Sequence, residues 1–201
     1  MAGMLVSTGA VSFRTSPFFT FTSGVESPVY VDNRRLLGFV DERRAIVGEL
    51  DRQARELARP PEAIAGTATA GIPWAAWLSD TLGLPMLYVR SAAKAWGHGR
   101  AVEGSARDGA RVLLVEDLAF TGGSLAAGLE NLAGAGFAVT TCLTIVTYAL
   151  PATSRRFEQL RVPHASLTTI DAALDVAADS GALGRSETAV VERWLEDQRR
   201  R

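Results

Sequence analysis

The apolar positions of this chain change their period several times, and the changes mark the elements. Over 1–31 the rings Phe13, Phe18, Phe19, Phe21 and Tyr30 stand among Ser, Thr, Gly and Pro with no sustained period. That pattern predicts a short lead-in followed by an aromatic, turn-rich stretch. Over 39–58 the period becomes helical. Val40, Ile46, Val47, Leu50, Ala54 and Leu57 recur among charges, and Arg59-Pro60-Pro61 stops the run. The mixed run Asp41-Glu42-Arg43-Arg44 suits an exposed first turn of that helix.

Beyond the prolines, short apolar runs alternate with helical ones. Strands are predicted at 63–66, 85–89, 111–115 and 138–148, and helices at 75–82, 124–133 and 186–199. The strands are nearly continuous in apolar residues rather than alternating. The expected fold is therefore α/β, with a mostly parallel central sheet covered by helices on both faces. His164 falls on a polar bend, and Trp194 is placed to pack the last helix onto the body. The interval 90–109 is polar, rich in glycine and without a period. It is long for a loop in a compact domain, which is the mark of a functional lid or a disordered segment.

Composition narrows the classes. A hydrophobic fraction of 47% against 21% charged residues, over 201 residues, describes one folded domain with a real core. The formal net charge of -1 argues against a nucleic-acid partner, which selects for a basic face. No apolar run approaches the ~20 residues that span a bilayer, so no membrane partner is expected. The start, 1–11, lacks a cationic segment before an apolar block and predicts no secretory signal. Cys142 is the single cysteine, set in an apolar run and expected to be a buried hydrophobe. Together these point to a reducing, cytoplasmic setting.

The most informative stretch is Val112-Leu113-Leu114-Val115-Glu116-Asp117-Leu118-Ala119-Phe120-Thr121-Gly122-Gly123-Ser124. Four aliphatics end in two carboxylates, and a Thr-Gly-Gly-Ser turn then opens a helix. In an open parallel sheet, ligands bind beyond the carboxyl ends of the strands, where Glu116 and Asp117 emerge. Glycines let backbone N–H groups approach an anion, and the helix start adds a positive dipole end. Thr121 and Ser124 add hydroxyl donors. Facing a phosphate directly, the carboxylates would repel it; they suit vicinal hydroxyls or a magnesium-bound sugar. A ribose with its hydroxyls at the acids and its 5-phosphate at the turn satisfies both halves. The plain alternative is a strand followed by a helix capped by Ser124. No Gly-Lys-Ser/Thr ending is present, so a Walker-type nucleotide loop is not expected.

This stretch resembles the phosphoribosyl-pyrophosphate motif of type I phosphoribosyltransferases, and the resemblance extends along the chain to the orotate phosphoribosyltransferase family. Phe19-Thr20-Phe21-Thr22-Ser23-Gly24 and Ser27-Pro28-Val29-Tyr30-Val31-Asp32-Asn33-Arg34 are similar to that family's N-terminal hood and orotate-contacting segment. Gly66-Thr67-Ala68-Thr69-Ala70-Gly71-Ile72-Pro73 looks like its pyrophosphate loop. Leu84-Pro85-Met86-Leu87-Tyr88-Val89-Arg90 leads, as in the family, into a catalytic loop that ends at Val102-Glu103-Gly104. Val146-Thr147-Tyr148 and the C-terminal helix follow the pattern, while the first helix looks abbreviated.

The resemblance implies a type I phosphoribosyltransferase-like fold over 1–201, with 1–35 contributing the hood and 90–109 the mobile loop. It implies transfer of phosphoribose from phosphoribosyl pyrophosphate to orotate, a step of pyrimidine nucleotide synthesis, with Mg²⁺ carried by the substrate rather than by a set of protein ligands. Thr69, Ala70, Gly71 and Glu116, Asp117, Leu118, Ala119, Phe120, Thr121, Gly122, Gly123 and Ser124 would hold phosphoribosyl pyrophosphate. Thr22, Tyr30, Phe120 and Tyr148 would meet orotate. Arg90 and Lys94 would neutralise the leaving pyrophosphate, and a homodimer would share the mobile loop across subunits.

The loop departs from the family's Arg, lysines, then Lys-x-His-Gly. Ser91 and Ala92 replace the additional lysine, and Trp96 stands at the histidine position. His98, two residues on, either reaches the pyrophosphate after a shift of the loop or is a solvated histidine. Phe120 replaces a Ser or Thr near the base, and Trp74 a polar residue after the pyrophosphate loop. These rings leave two further readings open: a phosphoribosyltransferase for another base, and a non-catalytic homologue that senses phosphoribosyl pyrophosphate or a nucleotide.

Overall fold

The computed structural model of the protein describes residues 1–21, 24, 26–90 and 101–200. Helix α1 (Ala2–Ser7) opens the chain. Four short strands follow: β1 (Val11–Phe13), β2 (Phe19–Thr20), β3 (Glu26–Ser27) and β4 (Val29–Val31). They form two small antiparallel ribbons, β1 with β4 and β2 with β3, in the N-terminal segment expected to be the hood. A 3-10 turn (Asn33–Gly38) leads into α2 (Val40–Arg55).

The body alternates from there: β5 (Ala63–Thr67), α3 (Gly71–Leu82), β6 (Met86–Val89), β7 (Val102–Gly104), β8 (Arg111–Ala119), α4 (Gly123–Gly134), β9 (Ala138–Thr147), α5 (Pro151–Leu160), β10 (His164–Thr169), α6 (Ile170–Asp179) and α7 (Arg185–Arg200). Among the described residues the central sheet runs β10-β9-β8-β5-β6-β7. All its pairings are parallel except that of β6 with β7. The predicted α/β class and the continuous-apolar reading of the strands hold, since every residue of β5 is buried.

Alternate side chains of each strand feed opposite cores. Leu113 and Val115 of β8 join Ile46, Leu50, Trp74, Leu78, Ile145, Leu174 and Leu195 on one face. Val112 and Leu114 join Leu125, Leu129, Leu132, Cys142 and Phe157 on the other. Cys142 is fully buried, as its apolar setting predicts.

Several expectations need correction. His164 is not on a bend. It begins β10, stacks on Phe157 with ring centroids 4.4 Å apart, and its Nε2 lies 3.0 Å from Thr144 Oγ1. Part of the interval 90–109 is strand rather than loop, because β7 adds itself to the sheet edge beside β6. Strand β8 runs four residues past Val115, through both acids to Ala119. Helix α3 starts at Gly71 rather than at 75. Helix α5 carries too many polar residues to show as an apolar run, and the prediction missed it; it also missed α6, although Ile170, Ala173, Leu174 and Ala177 recur there at helical spacing. Trp74 packs into the core, fully buried and edge-on to Trp77, and does not face the site. Trp194 does pack α7 onto the body, through Tyr148 at 6.3 Å.

Candidate active site

Strands β5 and β8 are parallel neighbours, so their C-terminal ends open side by side. Each is followed by a tight turn and a helix. Between the two turns lies a cavity of about 350 Å³, lined by Ala68, Thr69 and Ala70 from one side and by Glu116, Asp117, Leu118, Phe120, Thr121, Gly122, Gly123 and Ser124 from the other. This is the crevice where open α/β sheets hold ligands.

The turn after β8 is built to present donors. Gly122 adopts φ 71°, a left-handed conformation that costs a side-chain residue energy, and it precedes the first turn of α4. Ala126 N is the first to reach a carbonyl of this helix, Gly122 O at 2.9 Å. The backbone N–H groups of Thr121, Gly122, Gly123 and Ser124 have no acceptor among the described residues. Thr121 and Ser124 are exposed, so their hydroxyls are open to a ligand as well.

The acids sit deeper. Glu116 is only 6% exposed, with its carboxylate against the start of α3, and its Oε1 accepts from Asp117 N at 3.1 Å. A Cβ on Gly71 would fall 2.6 Å from Val115 O, 2.8 Å from Thr67 Oγ1 and 3.3 Å from Glu116 Oε1. The absent side chain lets α3 close over β8. Burial pushes the Glu116 carboxyl above the usual carboxylate range, and the neighbouring charge of Asp117 adds to the rise. Burial raises Asp117 too, while nearby Arg34 works the other way. A buried carboxyl beside a half-buried one favours ligands that bring positive charge or hydroxyl donors.

Gly71 and Ala119 do not line the cavity. Gly71 underlies it, and Ala119 is buried with its carbonyl accepting from Tyr148 N at 3.0 Å. Tyr30 and Tyr148 also stand back from it. Tyr30 stacks with Phe21 in the hood, ring centroids 6.0 Å apart, and buried Tyr148 supports Phe120 edge-on at 4.7 Å. Of the expected base contacts, Phe120 alone reaches the cavity lining among the described residues. Arg90 follows Val89, whose carbonyl accepts from Ala68 N at 2.7 Å, so it emerges beside the 69–71 turn. Its Nη1 lies 3.5 Å from Glu103 Oε1. Thr22, Lys94, Trp96 and His98 lie outside the described residues.

One residue was missed. Asn33 is fully buried, and its Nδ2 donates to Asp117 O at 2.8 Å, tying the hood segment to the acids. Its Oδ1 has no partner among the described residues. Its position inside Ser27–Arg34 was the available signal, but nothing in the local pattern showed which way it pointed.

A neutral turn facing an acid-then-glycine turn, at the carboxyl edge of a parallel sheet, is the arrangement of a phosphoribosyltransferase. The family of the phosphoribosyl transferase domain matches residues 38–173. An orotate phosphoribosyltransferase of Bacillus cereus is 43% identical over 197 residues, covering 98% of this chain and 94% of that protein. The structure of an orotate phosphoribosyltransferase from Aeropyrum pernix superposes with a TM-score of 0.73 at 34% identity, over 91% of this chain and 99% of that one. Leishmania donovani UMP synthase gives a TM-score of 0.81 at 26% identity, over 98% of this chain but 41% of that longer one. The chain belongs to the orotate phosphoribosyltransferase family.

Proposed function

We propose that the chain transfers phosphoribose from phosphoribosyl pyrophosphate to orotate, giving orotidine 5′-monophosphate and pyrophosphate. The observation that carries this reading is one cavity that joins Ala68, Thr69 and Ala70 on one side to Glu116, Asp117, Leu118 and 120–124 on the other. The order of its lining, a neutral turn, then two carboxylates, then free N–H groups, suits a phosphorylated sugar with a second anion at its far end.

In the reaction a ring nitrogen of orotate forms a bond to C1 of the ribose while the bond from C1 to the pyrophosphate oxygen breaks. Positive charge builds on the sugar and negative charge on the leaving group. Orotate is readily deprotonated, so the site needs no strong base, and rate comes from positioning and charge stabilisation. Asp117 and Glu116 hold the ribose hydroxyls, and the free N–H groups of 121–124 hold the 5-phosphate. Arg90 and Lys94 neutralise the pyrophosphate beside the 69–71 turn.

The donor set also fits Mg²⁺ brought by the substrate. That ion is commonly held by one or two carboxylates together with substrate phosphates and water. Among the described residues no group of three or more His, Cys, Asp or Glu side chains forms a protein-only site, whereas Glu116 and Asp117 offer two carboxylates. When bound, the ion supplies positive charge to the pyrophosphate. The same reading takes 1–201 as one catalytic domain, pairs it into a homodimer that shares the loop between β6 and β7 across subunits, and places it in the cytoplasm. No helix among the described residues is long and apolar enough to cross a membrane.

Phe120 favours a second reading, a less polar base than orotate, because its ring lines the cavity. The test is loss of orotate absorbance in the presence of phosphoribosyl pyrophosphate and Mg²⁺. A decrease that needs all three components supports orotate. Its absence, with consumption of phosphoribosyl pyrophosphate on adding another base, replaces orotate by that base.

A further inference from the structure

Helix α5 packs against the outer side of the phosphate turn yet contributes nothing to the cavity lining. Two of its side chains, one helical turn apart, hold successive carbonyls of that turn. Thr153 Oγ1 donates to Phe120 O at 2.5 Å, and Arg156 Nη1 donates to Thr121 O at 2.9 Å. The contact continues along the glycines. A Cβ on Gly122 would meet Thr153 Cγ2 at 3.4 Å and Arg156 Cδ at 3.8 Å, and one on Gly123 would meet Arg156 Nη1 at 3.2 Å. Helix α5 thus lies close along the turn from Phe120 to Gly123, leaving little room for side chains at the two glycines.

A planar trans peptide points its C=O and the following N–H in opposite directions. Drawing the carbonyls of Phe120 and Thr121 toward α5 aims the N–H groups of Thr121 and Gly122 away from it. Neither N–H has an acceptor among the described residues. Left free, the same two carbonyls could rotate toward the cavity and set negative dipoles against an anion. Preset donors that need no rearrangement on binding are worth more than donors that must be turned.

We infer that Arg156 and Thr153 are positioning residues for the sugar 5-phosphate: they hold the turn's carbonyls outward so that its N–H groups stay aimed at the anion. Arg156 adds a positive charge beside the turn without lining the cavity. The inference rests on the reading that this turn takes the 5-phosphate. It also separates the two anion sites, because the α5 contacts described above all fall on 120–123.

The test is calorimetric binding of ribose 5-phosphate and, separately, of pyrophosphate to the full chain and to Arg156→Ala, Arg156→Lys and Thr153→Val. Losing a hydrogen bond from a charged donor is expected to weaken ribose 5-phosphate about tenfold in Arg156→Ala. Pyrophosphate affinity should stay unchanged, and Arg156→Lys should recover part of the loss. Thr153→Val, which keeps the volume, should show a smaller loss with the same selectivity. Unchanged ribose 5-phosphate binding in both Arg156→Ala and Thr153→Val overturns the inference. So does an equal loss for the two anions, which is the signature of general damage to the fold. A parent protein that binds pyrophosphate but no ribose 5-phosphate would instead remove the underlying reading, and the inference with it.

Discussion

The turns after β5 and after β8 occupy equivalent places, each joining a buried parallel strand to a helix at the same edge of the sheet. They are chemically opposite. The first, Thr67-Ala68-Thr69-Ala70-Gly71, carries no charge of its own. The second follows two carboxylates carried on the end of β8 and ends in two glycines. Their glycines differ as well. Gly122 is needed for its left-handed φ of 71°, whereas Gly71 has no such φ and is needed because α3 comes so close to β8. A neutral turn can accept a dense polyanion but leaves its neutralisation to a cation from elsewhere, which is the part that the proposed function gives to Arg90 and Lys94. An acidic turn repels that polyanion, selects hydroxyls, and pushes the phosphate one step further on, to the helix start. Side by side, the two turns fix the direction in which an asymmetric ligand lies.

The sharpest way to break this comparison is at the neutral turn's borrowed charge. Arg90→Ala should lower kcat by about 10²–10³, the usual cost of one fixed donor to developing charge. Ribose 5-phosphate binding should hardly move, and equal losses in both would mean that Arg90 does not serve the leaving group. Next is Gly71→Ala, whose Cβ would overlap Val115 O and Thr67 Oγ1. Overpacking of this kind costs about 1–3 kcal/mol, read from the denaturant midpoint at unchanged m-value. A midpoint like the parent's would show that α3 can lift away freely.

On the acidic side, Asp117→Asn should leave the melting temperature near the parent's and weaken phosphoribosyl pyrophosphate by about tenfold. Undiminished affinity would strip the acids of their role at the sugar.

The smallest effect is on pH dependence. Glu116 and Asp117 are both raised in the folded protein, so the folded state keeps protons that the unfolded chain has released. Stability of the unliganded protein therefore falls as pH rises from the ordinary carboxylate range to the raised values, and is regained on acidification through that window. Glu116→Gln should flatten this part of the melting-temperature profile. A profile of unchanged slope would place the titration elsewhere.

How much of this was legible beforehand depends on distance along the chain. The strands β5, β8 and β9, helix α2 and helix α7 were readable because burial imprints a period on neighbouring residues. The whole acid-and-glycine turn was readable too, since its parts are contiguous. Helix α5 and strand β10 were not, because their apolar residues are too sparse or too mixed with polar ones to outvote the background, and α6 was missed although Ile170, Ala173, Leu174 and Ala177 keep a helical period. His164 looked like a solvated bend residue, and became a stacked strand residue only through Phe157 and Thr144. Trp74 looked like an intruder at the site, but the first turn of α3 points it into the core.

The order of strands and helices, the unpaired donors of the phosphate turn and the two acids before it were set by local sequence, because backbone conformation and short-range periodicity are local properties. Tertiary structure decided which residues meet across long separations. Asn33 reaches Asp117 from 84 residues away, Thr153 and Arg156 reach the turn from 33 and 35 residues away, and the 69–71 turn faces it across the cavity. No periodicity records such encounters. They follow only when the sheet sets its strand order and its two cores pull the helices down onto it.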